Sequence, residues 1–187
     1  MEARFELRTV QDENAEAPNE WGDDAVFLVT KNHRYFSVEA PEGWSLGRVC
    51  EMSKGDMKNF VAFPLYAYIH SGVALSLGQE YPFNDQWDSC RIGYVVVKKA
   101  GFGTECDLRE VAAGFVTTWN QYLSGDVWGY QIVRIDTCDL GHTHEEVVES
   151  CYGFYGHEYC LSEGKIALDY FLDSPTSEAF SGRRVHE

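Results

Sequence analysis

Residues 63–97 read FPLYAYIHSGVALSLGQEYPFNDQWDSCRIGYVVV. The stretch holds two apolar runs, 63–69 and 92–97, with the length and the β-branched and aromatic content of buried strands. Between them lies a polar insert carrying His70, Ser71, Asp85, Asp88, Ser89, Cys90 and Arg91. Pro64 stands near the start of the first run, where a missing N–H is tolerated. The consecutive apolar residues Tyr94, Val95, Val96 and Val97 suit a strand buried on both faces. Gly72, Gly78 and Pro82 make 71–86 a loop or a short hairpin.

Toward the C-terminus, 107–123 (DLREVAAGFVTTWNQYL) is the clearest helix. Leu108, Val111, Ala112, Phe115, Val116, Trp119, Tyr122 and Leu123 recur three and four apart along one stripe. Thr104 or Asp107 can cap its start, and Gly125 stands just past its end. Residues 127–135 read as a strand, 136–148 as an acidic, His-bearing loop, and 150–155 as a short aromatic strand. A second helix is expected at 157–172, weakened by Gly164, followed by a flexible tail at 174–187.

Toward the N-terminus, 4–10 alternate as a strand and 11–24 form an acidic loop with Pro18 and Gly22. Residues 25–30 and 35–39, joined by the polar turn 31–34, read as a β-hairpin. From Trp44 to Phe60 the pattern fits a short helix interrupted at Gly55. The expected fold is one α+β domain over 1–173: a mainly antiparallel sheet of about five to seven strands with both helices on one face.

Net charge narrows the function. Thirty acids against fifteen bases give −15, a field that repels nucleic acid and anionic membranes and attracts basic partners. The paired bases Lys98-Lys99 and Arg183-Arg184 form no stripe for a phosphate backbone. No apolar run approaches the ~20 residues needed to span a bilayer. The first residues lack a secretory apolar core, so the cytoplasm of the host cell is the expected location. The six cysteines, without a CxxC pair, read as reduced thiols.

Three constellations could carry chemistry. His70, Ser71, Asp88 and Ser89 come together if the two central strands pair, offering acid–base or nucleophilic groups. The alternative is a turn in which His70 and Asp88 satisfy each other, and no Gly-x-Ser-x-Gly elbow is present. Cys138, His142, His144, Cys151, His157 and Cys160 are zinc-type ligands, but only 138/142 and 157/160 are closely paired; neither metal nor cofactor is expected. The sequence at 101–106, GFGTEC, lacks the third glycine and the Lys-Ser/Thr ending of a phosphate loop. The third constellation is the acid itself. Asp12, Glu13, Glu16, Glu20, Asp23 and Asp24 cluster around Trp21, and Asp136, Asp139, Glu145, Glu146, Glu149 and Glu158 follow without a Lys or Arg among them. Carboxylates so clustered can mimic phosphates in a basic groove, with an exposed aromatic as anchor.

Four motifs in order, PLYAYIHSG (64–72), WDSCRIG (87–93), YLSGDVWG (122–129) and SCYGF (150–154), resemble a family of small hypothetical proteins of phages and mobile elements. The resemblance covers about residues 60–160 and brings no established activity with it. Ile69 replaces the acid usual before His-Ser-Gly, and Cys90 the glycine usual after Trp-Asp-Ser; a hydrolase relying on that acid would be impaired here. Small acidic proteins of such sources resemble anti-CRISPR and antirestriction inhibitors. The expected function is therefore that of a nucleic-acid mimic, a non-enzymatic anti-defence inhibitor whose partner-binding residues are Asp12, Glu13, Glu16, Glu20, Trp21, Asp23, Asp24, Asp136, Asp139, Glu145, Glu146 and Glu149. The partner would be a basic host protein that handles nucleic acid, a CRISPR effector or a restriction enzyme. The alternative is a small hydrolase or ligand-binding protein built on His70, Ser71, Asp88 and Ser89.

Overall fold

A computed structural model describes residues 3–22, 25–78, 88–102 and 107–173. The fold is α+β and antiparallel throughout. Among the described residues the seven strands are divided between two sheets, and each of the two long helices lies on a different sheet. Contacts separate the chain into two compact units: Met1–Ala15 with Gly125–Glu187, and Glu16–Ser124.

The first unit holds β1 (Ala3–Gln11), β6 (Val127–Thr137) and β7 (Thr143–Tyr155) in the order β1-β6-β7, with α4 (His157–Asp173) on one face. The sequence puts Phe5, Leu7, Tyr130 and Ile132 on one side of the pleat. There they meet Cys160, Ala167, Leu168 and Phe171 of the helix. The glycine that lowers helix propensity in α4 has a packing reason. A Cβ on Gly164 would come within 2.8 Å of Leu7 Cδ1 and 3.1 Å of Tyr130 Cβ, so glycine lets the helix lie this close without displacing them.

The second unit holds β2 (Val26–Thr30), β3 (Phe60–Ile69), β4 (Val73–Leu77) and β5 (Ser89–Lys98) in the order β2-β5-β3-β4. Helix α3 (Leu108–Ser124) covers one face through Ala112, Val116 and Trp119, which pack with Leu28, Leu65, Ile92, Val95 and Val97. The opposite face, with Phe27, Val29 and Val96, is covered by Trp44, Leu46 and Val49 around the short helix α1 (Leu46–Cys50). A second short helix, α2 (Asp56–Asn59), follows Gly55. Strand β5 is thus buried from both sides, as its apolar run implies: Val95, Val96 and Val97 are each fully buried, which contributes roughly 1.5–3 kcal/mol per side chain. Asp107 caps α3, accepting the Arg109 N–H at 2.8 Å; the alternative cap, Thr104, lies outside the described residues.

Three expectations are corrected. The strands form two sheets rather than one, and α3 and α4 cover different sheets rather than one common face. The 25–30 strand does not form a hairpin with 35–39. It pairs with β5, Leu28 opposite Val95. Residues 35–39 form no strand; Phe36 and Val38 enter the core as plugs, and the Val38 N–H goes to the Thr30 hydroxyl rather than to a backbone carbonyl. The acidic loop expected at 136–148 is instead a hairpin: β6 continues to Thr137 and β7 begins at Thr143, closed by the Cys138 N–H on His142 O at 2.9 Å. The 71–86 segment contributes β4 to a β3–β4 hairpin, and its part from 79 onward lies outside the described residues, as does the expected tail at 174–187. No helix among the described residues is long and apolar enough to cross a membrane.

Candidate functional site

The ends of β3 and β5 come together as the sequence suggests. Ile69 N–H donates to Asp88 O at 2.7 Å, and His70 N–H to Gly72 O at 3.1 Å in the turn to β4. His70 Nδ1 lies 2.8 Å from Asp88 Oδ2, with 64% and 37% of the two side chains exposed. An Nδ1–H held by a carboxylate leaves Nε2 as the basic nitrogen. Ser89 is buried opposite Tyr68, whereas Ser71 is exposed in the turn. The four residues therefore share one strand end, with the His–Asp pair as their defined interaction.

Strand alternation extends this cluster over one face of the sheet. Tyr66 and Tyr68 are two apart on β3 with His70 just past its end, and Ser89 and Arg91 pair with Tyr68 and Tyr66 from β5. Arg91 Nη2 donates to the Tyr94 hydroxyl at 2.6 Å, and Cys50 Sγ stands 3.7 Å from the same oxygen. The hydrogen bond with Cys50 and then burial push the Tyr94 phenol above its ordinary pKa, against the pull of Arg91. The Tyr-x-Tyr-x-His alternation in the sequence is the signal from which this face can be read.

The acidic residues separate into those held by the fold and those facing solvent. Asp12 accepts the N–H groups of Asn14 and Gly153, both at 3.1 Å, and so ties the end of β1 to β7. Glu20 accepts the Ala17 N–H across the Pro18–Glu20 turn. Asp136 pairs with Arg134 at 3.0 Å, and Glu149 accepts the Tyr130 hydroxyl at 3.4 Å. Glu145 is gripped in two-fold fashion by Arg8, at 2.7 and 2.9 Å, from β1 across β6. That pairing holds the Glu145 carboxyl below the usual carboxylate range and raises the Arg8 guanidinium further. Glu13, Asp139 and Glu146 are exposed, and Trp21 is 45% exposed. Glu16 lies on the second unit, and Asp23 and Asp24 fall outside the described residues.

The acidic residues of the first unit are spread along one sheet. Asp12 sits beside Val127 at the start of β6 and Asp136 near its end, a span of about 30 Å at ~3.3 Å per residue. An open groove of about 600 Å³ adjoins Asp12 and Glu13, with Gln131 and Tyr152 in its walls. The Tyr152 ring lies over Gly129, where any side chain would collide with it, and its hydroxyl accepts from Gln131 Nε2 at 2.7 Å. The zinc-type residues do not gather: among the described residues no group of three or more His, Cys, Asp or Glu is placed to hold a metal ion. Cys160 is buried on the inner face of α4, and His157 lies against Trp128 and the Thr9 hydroxyl. Comparison with models of protein families, with curated proteins and with solved structures finds no match for this chain.

Proposed function

We propose that the protein is a non-enzymatic anti-defence inhibitor, of the anti-CRISPR or antirestriction kind, that seats its acidic unit in the basic groove of a host protein that handles nucleic acid. The observation that carries this reading is the uneven placing of charge. Sixteen acids stand against six bases in Met1–Ala15 and Gly125–Glu187, and fourteen against nine in Glu16–Ser124. Ten of the fifteen net negative charges thus belong to the smaller unit. Its β6–β7 hairpin presents acids along an extended edge, and the groove beside Glu13 and Tyr152 offers a carboxylate and a half-exposed ring to an arginine or lysine. Carboxylates replacing phosphates displace the groove's anions through the same counterion exchange as DNA. The resemblance to phage and mobile-element proteins fits that setting.

The test is binding to a guide-loaded Cas nuclease and to restriction enzymes over a salt series. Affinity should fall steeply with salt. The triple change Glu13→Lys, Asp139→Lys, Glu146→Lys, which leaves the fold's own carboxylate contacts in place, should weaken binding by more than about tenfold. Binding indifferent to salt and to the triple change, or none at low salt, refutes the reading. A second reading, a ligand-binding or hydrolytic site at the strand end, is favoured by the 2.8 Å His70–Asp88 pair. His70→Ala with Asp88→Asn separates the two, since loss of phenotype in a folded double variant supports the strand-end site.

A further inference from the structure

An open cleft of about 560 Å³ lies wholly within the four-stranded unit, between residues 32–39, the Pro18–Glu20 turn and the C-terminal half of α3. Small-molecule sites have volumes of about 300–1,000 Å³. Phe36, Trp119 and Tyr122 line it, with the Trp119 ring edge-on to both neighbours: 5.9 Å and 86° from Phe36, 5.9 Å and 90° from Tyr122. Trp119 is 3% exposed, and its indole N–H has no acceptor. An indole N–H is a donor only, and a buried one ordinarily finds a partner because leaving it unmade forfeits the hydrogen bond it had in water.

On the exposed side of the cleft the Arg34 guanidinium lies 4.1 Å over the Tyr35 ring, which is 60% exposed. Glu39 also lines the cleft and can accept N–H or O–H groups. The 32–39 wall belongs to no strand. It is tied to β2 by the Val38 N–H on Thr30 Oγ1 at 3.2 Å and by the Thr30 hydroxyl on Val38 O at 3.5 Å, with one bridge between His33 and Phe36. Such a wall can shift to admit a guest without opening the sheet ladder.

We infer that this cleft binds a small molecule made of a flat ring with an acceptor atom joined to an anionic group. As the 32–39 wall shifts, the ring enters beside Trp119 and Tyr122, and its acceptor takes the indole N–H that the shift uncovers. The anion meets Arg34. Nucleoside monophosphates and aromatic carboxylates share this chemistry, and the site is independent of the acidic face proposed to bind a protein.

The experiment is nitrogen-edited NMR of the full chain, following the Trp119 indole N–H among the five tryptophans. Titrants are AMP, GMP, CMP and UMP in one arm, nicotinate and 4-hydroxybenzoate in the other. One arm should move the Trp119 resonance downfield saturably, as a new acceptor requires, and thereby identify the source. Arg34→Ala, a change at an exposed side chain, should weaken that binding at least about tenfold, a loss of ~1.4 kcal/mol. Trp119→Phe should do the same where it folds, and Arg34→Ala carries the test where it does not. A Trp119 resonance unmoved at millimolar titrant in both arms overturns the inference, as does binding of equal strength in Arg34→Ala.

Discussion

Asn120 offers the sharpest test of how the four-stranded sheet is held. Strand β4 is an edge, and an edge strand has one row of backbone groups without a neighbouring strand. From α3, Asn120 Oδ1 accepts the Leu75 N–H at 2.8 Å and Nδ2 donates to Leu75 O at 2.9 Å. The side-chain amide thus acts as one peptide unit of an absent strand. Leu75 is 4% exposed, so water has little access to those groups once the amide is removed. Two net hydrogen bonds are worth about 1–3 kcal/mol together, and two buried groups left unmade cost about 2–6 kcal/mol. Asn120→Ala should therefore destabilise this unit by about 2–4 kcal/mol, read as a shift in urea midpoint by tryptophan fluorescence and as a fall in Tm of roughly 5–15 °C. Asn120→Asp keeps the acceptor but sets a carboxylate oxygen against the Leu75 carbonyl, and should be at least as harmful at neutral pH. The reasoning fails if Asn120→Ala stays within about 0.5 kcal/mol of the parent, or if Asn120→Asp matches the parent.

The Arg8–Glu145 pair predicts a pH dependence. Because the Glu145 carboxyl is depressed in the folded chain, its stabilising effect is complete above its unfolded value near ~4.3 and is lost as pH falls through the lower folded value. The Tm difference between parent and Glu145→Gln should therefore be constant from neutral pH to about 5 and close in strong acid; a difference that widens on acidification contradicts the pairing. Gly164→Val should cost about 1–3 kcal/mol in chemical denaturation through the collision with Leu7 and Tyr130, and an unchanged midpoint would show that α4 can lift off its sheet. Thiol titration should modify exposed Cys50 and Cys151 first. Cys160, fully buried and with its pKa pushed up by that burial, should react only on unfolding.

What could be read in the sequence follows from how strongly each element depends on its own residues. Helices α3 and α4 carry a 3.6-residue stripe, and α3 also has Asp107 and Gly125 at its two ends, so both were legible within a residue or two. Strand β5 was legible because burial on both faces demands an unbroken apolar run. The first half of β7 was not. An edge strand exposed along 143–147 tolerates acids on consecutive positions, and its place is set by pairing with β6 rather than by its own alternation. Residues 35–39 were misread because Phe36 and Val38 alternate as a strand would, yet serve as two plugs in an irregular segment. The His70–Asp88 pair was legible from strand ends in register. The cleft at Trp119 was not, since its walls come from three stretches that the sequence keeps far apart.

The first unit is closed by the two extremes of its sequence. Leu7 of β1 stands opposite Ile132 of β6, with the entire second unit threaded between them. The chain leaves and re-enters that sheet at one spot, where Asp12 N–H reaches Val127 O at 2.9 Å and the Gln11 amide reaches Gly125 O at 2.8 Å. On a ribosome, β1 is therefore made more than a hundred residues before its partner β6. The four-stranded unit can close on itself while β1 waits, and only the emergence of β6 gives the waiting strand a template.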